Sequence, residues 1–334
     1  MRALSAVEMV LPLATALLFQ SNTISKYVKQ KMNNMKRSPF TSARMVMQSL
    51  MMVALLTAYT SCNKKDVKST VKPVDNFALN DNNIIVMPGD VSLTTPVQND
   101  AASKYNTFYG PAVQMGNGHV RSWVNIAHDG KPLAIGVEMT DGALANLPQD
   151  PTDFAAGTFD LPLHQKAKSV TPFDHIVMDW NVHGHVPVGI YDLPHFDFHF
   201  YKISVADQMA IPPYEVNPTG FDAPLPPGFM PPNYMRIPGG VPQMGAHWAD
   251  VTSPEFHGET FTSTFIYGTY NGNVTFDEPM ITLATLQSGN AVHKPISMPM
   301  HFSPVDTYYP SRYNIWQDAS NSCHYVSLDN MIWE

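Results

Sequence analysis

The chain has 334 residues, 44% of them apolar and 14% charged, with 29 prolines and a formal charge of −8. Ordinary soluble domains carry about 25% charged residues, so this composition favours a large buried core, and the prolines leave little room for long helices. Residues 1–61 hold seven Lys/Arg against one Glu, which leaves −14 on residues 62–334; a body that acidic lacks the basic face that phosphate binding needs, and nucleic-acid recognition is excluded.

The amino-terminal region reads as a leader. Residues 45–60 are apolar and uncharged, follow Lys36, Arg37 and Arg44, and end at Tyr59-Thr60-Ser61-Cys62. A basic segment, an apolar run and small residues before a cut form the pattern of an export signal, and the run is shorter than the ~20 residues of a membrane span. The pattern resembles a bacterial lipoprotein signal with Cys62 as the lipid-modified first residue, although Tyr59 stands where Leu is usual. Residues 1–61 are therefore expected to be leader, with translation starting near Met32 or Met35. Acyl chains on Cys62 would hold the mature protein on a membrane in the cell envelope, facing the periplasm or the cell surface. Residues 62–100 read as a polar tether and entry strand. With Cys62 so used, Cys323 is left as a packed thiol rather than a nucleophile.

From Tyr105 onward, short alternating stretches are punctuated by Gly, Pro and Asn. Residues 120–127 alternate, Asp129-Gly130 is a hairpin turn and 131–140 return, which predicts a β-hairpin over 120–140. Residues 141–147 are expected to form two helical turns capped by Asp141 and stopped by Pro148. Residues 173–185 read as a strand with Asp179, Asn181, His183 and His185 on one face. The next strand, 195–201, puts His195, Asp197, His199 and Tyr201 on one face and Phe196, Phe198 and Phe200 on the other. Residues 204–210 form a short helix capped by Ser204. The ten prolines of 212–242 make a stiff loop too long for a simple connector. Residues 260–270 and 273–277 form a second hairpin through Asn271-Gly272, and 296–302 and 324–332 read as closing strands. The fold expected is all-β, an antiparallel sandwich or barrel with a long Pro-rich loop and few short helices, in a single domain over 101–334.

The chemistry concentrates between Asp179 and Tyr201. Same-face strand neighbours sit roughly 6.5–7 Å apart, so His183 and His185 can converge on one ion, whereas His195 and His199, roughly 13 Å apart, cannot without a bend. If the two strands pair, an ion site takes His183 and His185 with one or two of His195, Asp197 and His199. Imidazole and carboxylate suit a transition metal such as Zn or Fe better than Ca or Mg. His247, Glu255 and His257 are further candidates. The His-x-His and Pro-x-x-Gly-x-His pieces are similar to cupin motifs, but no Glu follows His185 at the required distance. The competing reading makes these histidines hydrogen-bonded core residues, with Asp197 merely orienting its neighbours. No Gly-x-Ser-x-Gly is present, so a serine-hydrolase site is unsupported.

With these residues laid out, the chain resembles an uncharacterised family of bacterial exported proteins. The likeness rests on His183-Gly184-His185, Pro194–Tyr201, Pro242–Trp248, Phe265–Tyr270 and Phe276–Ile281, and spans roughly residues 105–285. It implies an envelope-located β domain related to a ring-forming member under sigma-E-type stress control, and no established activity. The functional expectation is a lipid-anchored envelope protein whose His-rich domain binds a metal ion or small ligand. The alternative is a homo-oligomeric assembly module, and a metal-dependent cupin-like enzyme comes third.

Overall fold

A computed structural model describes Ile85, residues 104–150 and residues 152–334. The expected leader, Cys62 and nearly all of the tether lie outside the described residues. Among the described residues no helix is long and apolar enough to cross a membrane.

The strands follow the alternation of the sequence. β1 (Tyr105–Tyr109), β2 (Val113–Met115), β3 (Gly118–Ala127) and β4 (Pro132–Thr140) come first. β5 (Thr158–Pro162), β6 (His175–Asn181) and β7 (His195–Tyr201) follow. After the Pro-rich segment come β8 (Tyr234–Arg236), β9 (Ala246–Asp250), β10 (Ser263–Tyr270) and β11 (Asn273–Thr282). The chain closes with β12 (Val292–Pro295), β13 (Tyr308–Tyr309), β14 (Arg312–Asp318), β15 (Cys323–Asp329) and β16 (Ile332–Trp333). One sheet runs β1-β3-β4-β15-β14-β12, with β2 added to β3; the other runs β5-β6-β7-β11-β10-β9-β8; β13 and β16 form a small ribbon. All pairings are antiparallel and neither large sheet closes on itself. The architecture is an all-β sandwich, and the barrel alternative is set aside.

The core lies between the sheets. Val124, Ile135, Val137, Ile315 and Val326 from the first sheet meet Phe196, Phe198, Phe200, Phe265 and Ile281 from the second. The three phenylalanines of β7 are fully buried, and each contributes roughly 1.5–3 kcal/mol through the apolar area removed from water. Since side chains alternate along a strand, packing Phe196, Phe198 and Phe200 inward turns His195, Asp197 and His199 to the opposite face of the second sheet. That face is covered too. The 182–194 loop, Phe256 and Phe261 pack with Met280 of β11 at one end of it, and Ile203 and Met244 with Phe276 of β11 at the other.

The structure corrects several expectations. β6 stops at Asn181, because the chain turns at Val182-His183 and Gly184 takes a positive φ of 67°; His183 and His185 are therefore loop residues and not strand neighbours. Residues 141–144 form a single 3-10 turn. Residues 296–302 form no strand: the pairing of β12 with β14 ends with the Ile296 N–H donating to the Ser311 carbonyl, and Pro299 lacks the N–H a ladder needs. The closing hairpin is β14–β15, of which the sequence reading named only the second strand. The Pro-rich segment contains one helical turn, Pro218–Asp222, and supplies β8 as the edge of the second sheet. The Ser204 cap is as expected: its hydroxyl accepts the Asp207 N–H.

Candidate metal centre

β6 and β7 pair with Asp179 opposite Asp197 and Asn181 opposite His195, so the polar faces of the two strands coincide as expected. On the other side of β7, β11 places Met280 opposite Asp197 and Thr282 opposite His195. Two groups of potential ligands stand on this surface, His185–His195–Asp197 and His199–His247–Glu278, and the ligand atoms within each group lie within 4.8 Å of one another.

In the first group the Asp197 carboxylate sits between two imidazoles. Its Oδ2 is 3.2 Å from His185 Nε2 and its Oδ1 is 3.1 Å from His195 Nε2. The other nitrogen of each ring is already committed. His185 Nδ1 is 2.7 Å from the Val186 carbonyl and His195 Nδ1 is 2.7 Å from the Leu193 carbonyl. A carbonyl only accepts, so Nδ1 carries the proton in both rings and each neutral ring presents an Nε2 lone pair to the carboxylate. Asn181 Nδ2 donates to Asp197 Oδ2 at 2.8 Å and fixes the carboxylate.

The second group draws on three strands, with His199 on β7, Glu278 on β11 and His247 on β9. Glu278 Oε2 lies 3.4 Å from His199 Nε2 and 3.9 Å from His247 Nε2. Asp179 Oδ2 is 3.2 Å from His199 Nδ1, the position from which a carboxylate sets the tautomer and orientation of a metal-binding imidazole. Phe276 packs edge-on against His199 and tilted against His247, with ring centroids 4.8 and 5.4 Å away. Its ring fits there because residue 268 has no side chain: a Cβ on Gly268 would lie within 2.0 Å of the Phe276 ring.

Electron-pair donors converge in both groups. His195 Nε2, Asp197 Oδ1, His199 Nδ1 and Nε2, Asp179 Oδ2 and Glu278 Oε2 are all buried without a hydrogen bond of acceptable geometry. Two ligands about 2.1 Å from one ion at tetrahedral angles lie roughly 3.4 Å apart; the imidazole–carboxylate spacings of 3.1–3.9 Å bracket that value, and closing each group on one ion means drawing in ligand atoms that now lie within 4.8 Å of one another.

Without an ion the cluster holds itself together with protons. Burial works against a charge on His185, but Asp197 outweighs it and lifts the ring to about 9. Burial likewise opposes a charge on His199, and Glu278 with Asp179 raises it to about 9. For Asp197, burial pushes upward, yet His195 and His185 hold the carboxyl well below its usual range. Burial raises Glu278. His247, buried and facing two cationic rings, drops to about 3 and offers a free lone pair. A divalent cation can take the place of those protons, supplying the positive charge that the buried carboxylates face as the ligands deprotonate.

Each group has two imidazoles and one carboxylate. That donor set suits Zn or a non-haem Fe(II) and disfavours Ca or Mg, and three protein ligands leave at least one position for water. The structure brings together five of the six ligands expected from the sequence, His185, His195, Asp197, His199 and His247, and divides them between two groups, with His195 and His199 apart. It leaves out His183, which is exposed on the turn. Glu255 is buried against Ser253 and His257 sits against the Val251 carbonyl, so neither reaches the centre. Glu278 was missed. Its signal was the pair of carboxylates, Asp277 and Glu278, within the otherwise core-like stretch Phe276–Ile281, since such groups are almost never buried unless paired; Asp277 pairs with Lys202 at 2.7 Å. Cys323 is buried, donates to the Asn321 carbonyl at 3.3 Å, and is pushed up to about 12 by burial, which makes it an inert packed thiol.

A family model described as "TTHB210-like: Hypothetical protein TTHB210" matches residues 128–180. The matched stretch runs from the turn after β3 to the end of β6. It includes Asp179 but stops short of all six residues of the two groups. No curated protein and no solved structure matches the chain.

Proposed function

We propose that this protein is a lipid-anchored envelope protein whose β-sandwich binds a transition metal, zinc or iron, at the paired His/carboxylate groups. One observation carries the metal reading. The Nδ1 protons of His185 and His195 are fixed on backbone carbonyls, so two Nε2 lone pairs face the Asp197 carboxylate with only a cation or extra protons to reconcile them. The test is elemental analysis of protein purified without chelator: near-stoichiometric zinc or iron is expected, and only trace metal in the native chain would refute the reading. The anchor is supported by the leader and Cys62. Cys62→Ala should move the protein from the membrane to the soluble fraction, and unchanged membrane association would remove the anchor from the proposal.

A homo-oligomeric assembly role is the second reading. It is favoured by the apolar side chains left exposed along the short helix and the Pro-rich segment, Val205, Met209, Val216, Met235 and Val241. Light scattering decides it: a monomer mass at micromolar concentration rules it out, whereas an oligomer that Val216→Asp with Met235→Asp dissociates supports it.

A further inference from the structure

The two groups differ in how their ligands are mounted. His199, Glu278 and His247 all stand on strands with neighbours on both sides. His199 pairs with Val177, Glu278 with Ile266 and His247 with Gly268, and the Ile237 N–H donates to the His247 carbonyl at 2.8 Å. The backbone of each of these ligands is held by a strand on either side, so backbone movement away from an ion would break ladder hydrogen bonds. In the other group His195 and Asp197 are held in the same way on β7. His185 is not: it belongs to the 182–194 loop, and its side chain is 28% exposed, the most open of the six.

That loop is pinned chiefly by Tyr191. Its side chain is 1% exposed and its ring packs edge-on against Phe261 and Phe256 at 5.0 and 6.0 Å. The His185 N–H donates to the Tyr191 carbonyl at 3.0 Å. A would-be Cβ on Gly184 meets that same carbonyl at 2.1 Å, so the turn closes this tightly only with glycine. The loop is a hinged cover with one ligand on its underside and one aromatic anchor. Local openings of a loop cost far less free energy than openings within a sheet, and exchange rates follow that difference.

Building on the metal reading, we infer that the protein binds two ions of unequal exchange: a retained ion held by His199, His247 and Glu278, and an exchangeable ion held by His185, His195 and Asp197. The exchangeable ion enters and leaves as the 182–194 loop lifts His185 away, and Tyr191 sets the frequency of that opening.

The experiment loads chelator-treated protein with Zn(II), removes the excess and follows transfer of zinc to a colorimetric chelator by stopped flow. Two ions per chain are expected, leaving in two phases of equal amplitude whose rates differ by at least about tenfold. His185→Ala should remove the fast phase and one ion, and His247→Ala the slow phase and the other. Tyr191→Ala should accelerate the fast phase by about tenfold or more while leaving the slow one unchanged. If that variant fails to fold, Phe256→Ala loosens the same anchor from its outer side. His183→Ala should leave both phases as they are. Two ions leaving in a single phase, or a slow phase that Tyr191→Ala accelerates equally, would overturn the inference. So would one ion per chain, which leaves the metal reading standing, whereas finding no zinc bound on loading and no zinc or iron in the protein as purified removes both.

Discussion

The most direct probe of the centre is Asp197→Asn. Asn181 Nδ2 already donates to Asp197 Oδ2 at 2.8 Å, so the amide oxygen must remain there and the new amide nitrogen takes the place of Oδ1. That position is 3.1 Å from His195 Nε2, whose lone pair then receives a hydrogen bond. The metal-free variant should therefore fold and keep its packing. Metal binding should suffer, because the group loses its only anion and the oxygen that faces His195 at once. At a free ion concentration 100 times Kd, one bound ion stabilises the native state by about 2.7 kcal/mol. In a body of this size each kcal/mol moves Tm by about 2–4 °C, so the zinc-induced rise in Tm should be smaller in the variant by about 5–10 °C. Calorimetry of both proteins with chelator and with saturating zinc measures the difference. Equal zinc-induced shifts in the two proteins would refute the assignment of Asp197 as a ligand.

Other consequences can be measured separately. Gly268→Ala should push Phe276 against His199 and His247, lower stability and release zinc from the His247 group alone; normal zinc content with normal Tm would show that the ring has room to move. Phe198→Ala, in the middle of the core, should cost about 3–5 kcal/mol by denaturant unfolding, and a loss under 1 kcal/mol, roughly that of a surface change, would contradict the packing described. His185 and His199 titrate near 9 in the metal-free protein, above the unfolded value of 6.5. The stability they lend is fully present below about pH 6.5 and is lost as pH rises through 9. Metal binding has the opposite sign, since those protons must leave, so zinc affinity should rise steadily from pH 6 to 8. Titration calorimetry in buffers of different ionisation enthalpy counts the protons released, and a count of zero would exclude protonated ligands.

The alternation of β7 was enough to place Phe196, Phe198 and Phe200 inward and His195, Asp197 and His199 together on the other face. Strand rise alone kept His195 and His199 apart, and the structure places them in different groups. These readings succeed because they concern residues a few positions apart on one regular element. The pairing of His183 with His185 failed for an equally local reason: Gly184 turns the chain, and a turn residue does not obey the two-residue period.

What the sequence by itself determined was the fold class, the strand faces and the concentration of ligand-type residues around β7. Which residues form a group was decided only in three dimensions. Glu278 reaches His199 because β11 pairs with β7, and His247 reaches them across β10, strands separated from β7 by dozens of residues of chain. Pairing order and register depend on how two whole sheets pack, and no local periodicity encodes them. The loop mounting of His185 and the packing of Tyr191 on Phe261 and Phe256 belong to the same class of fact.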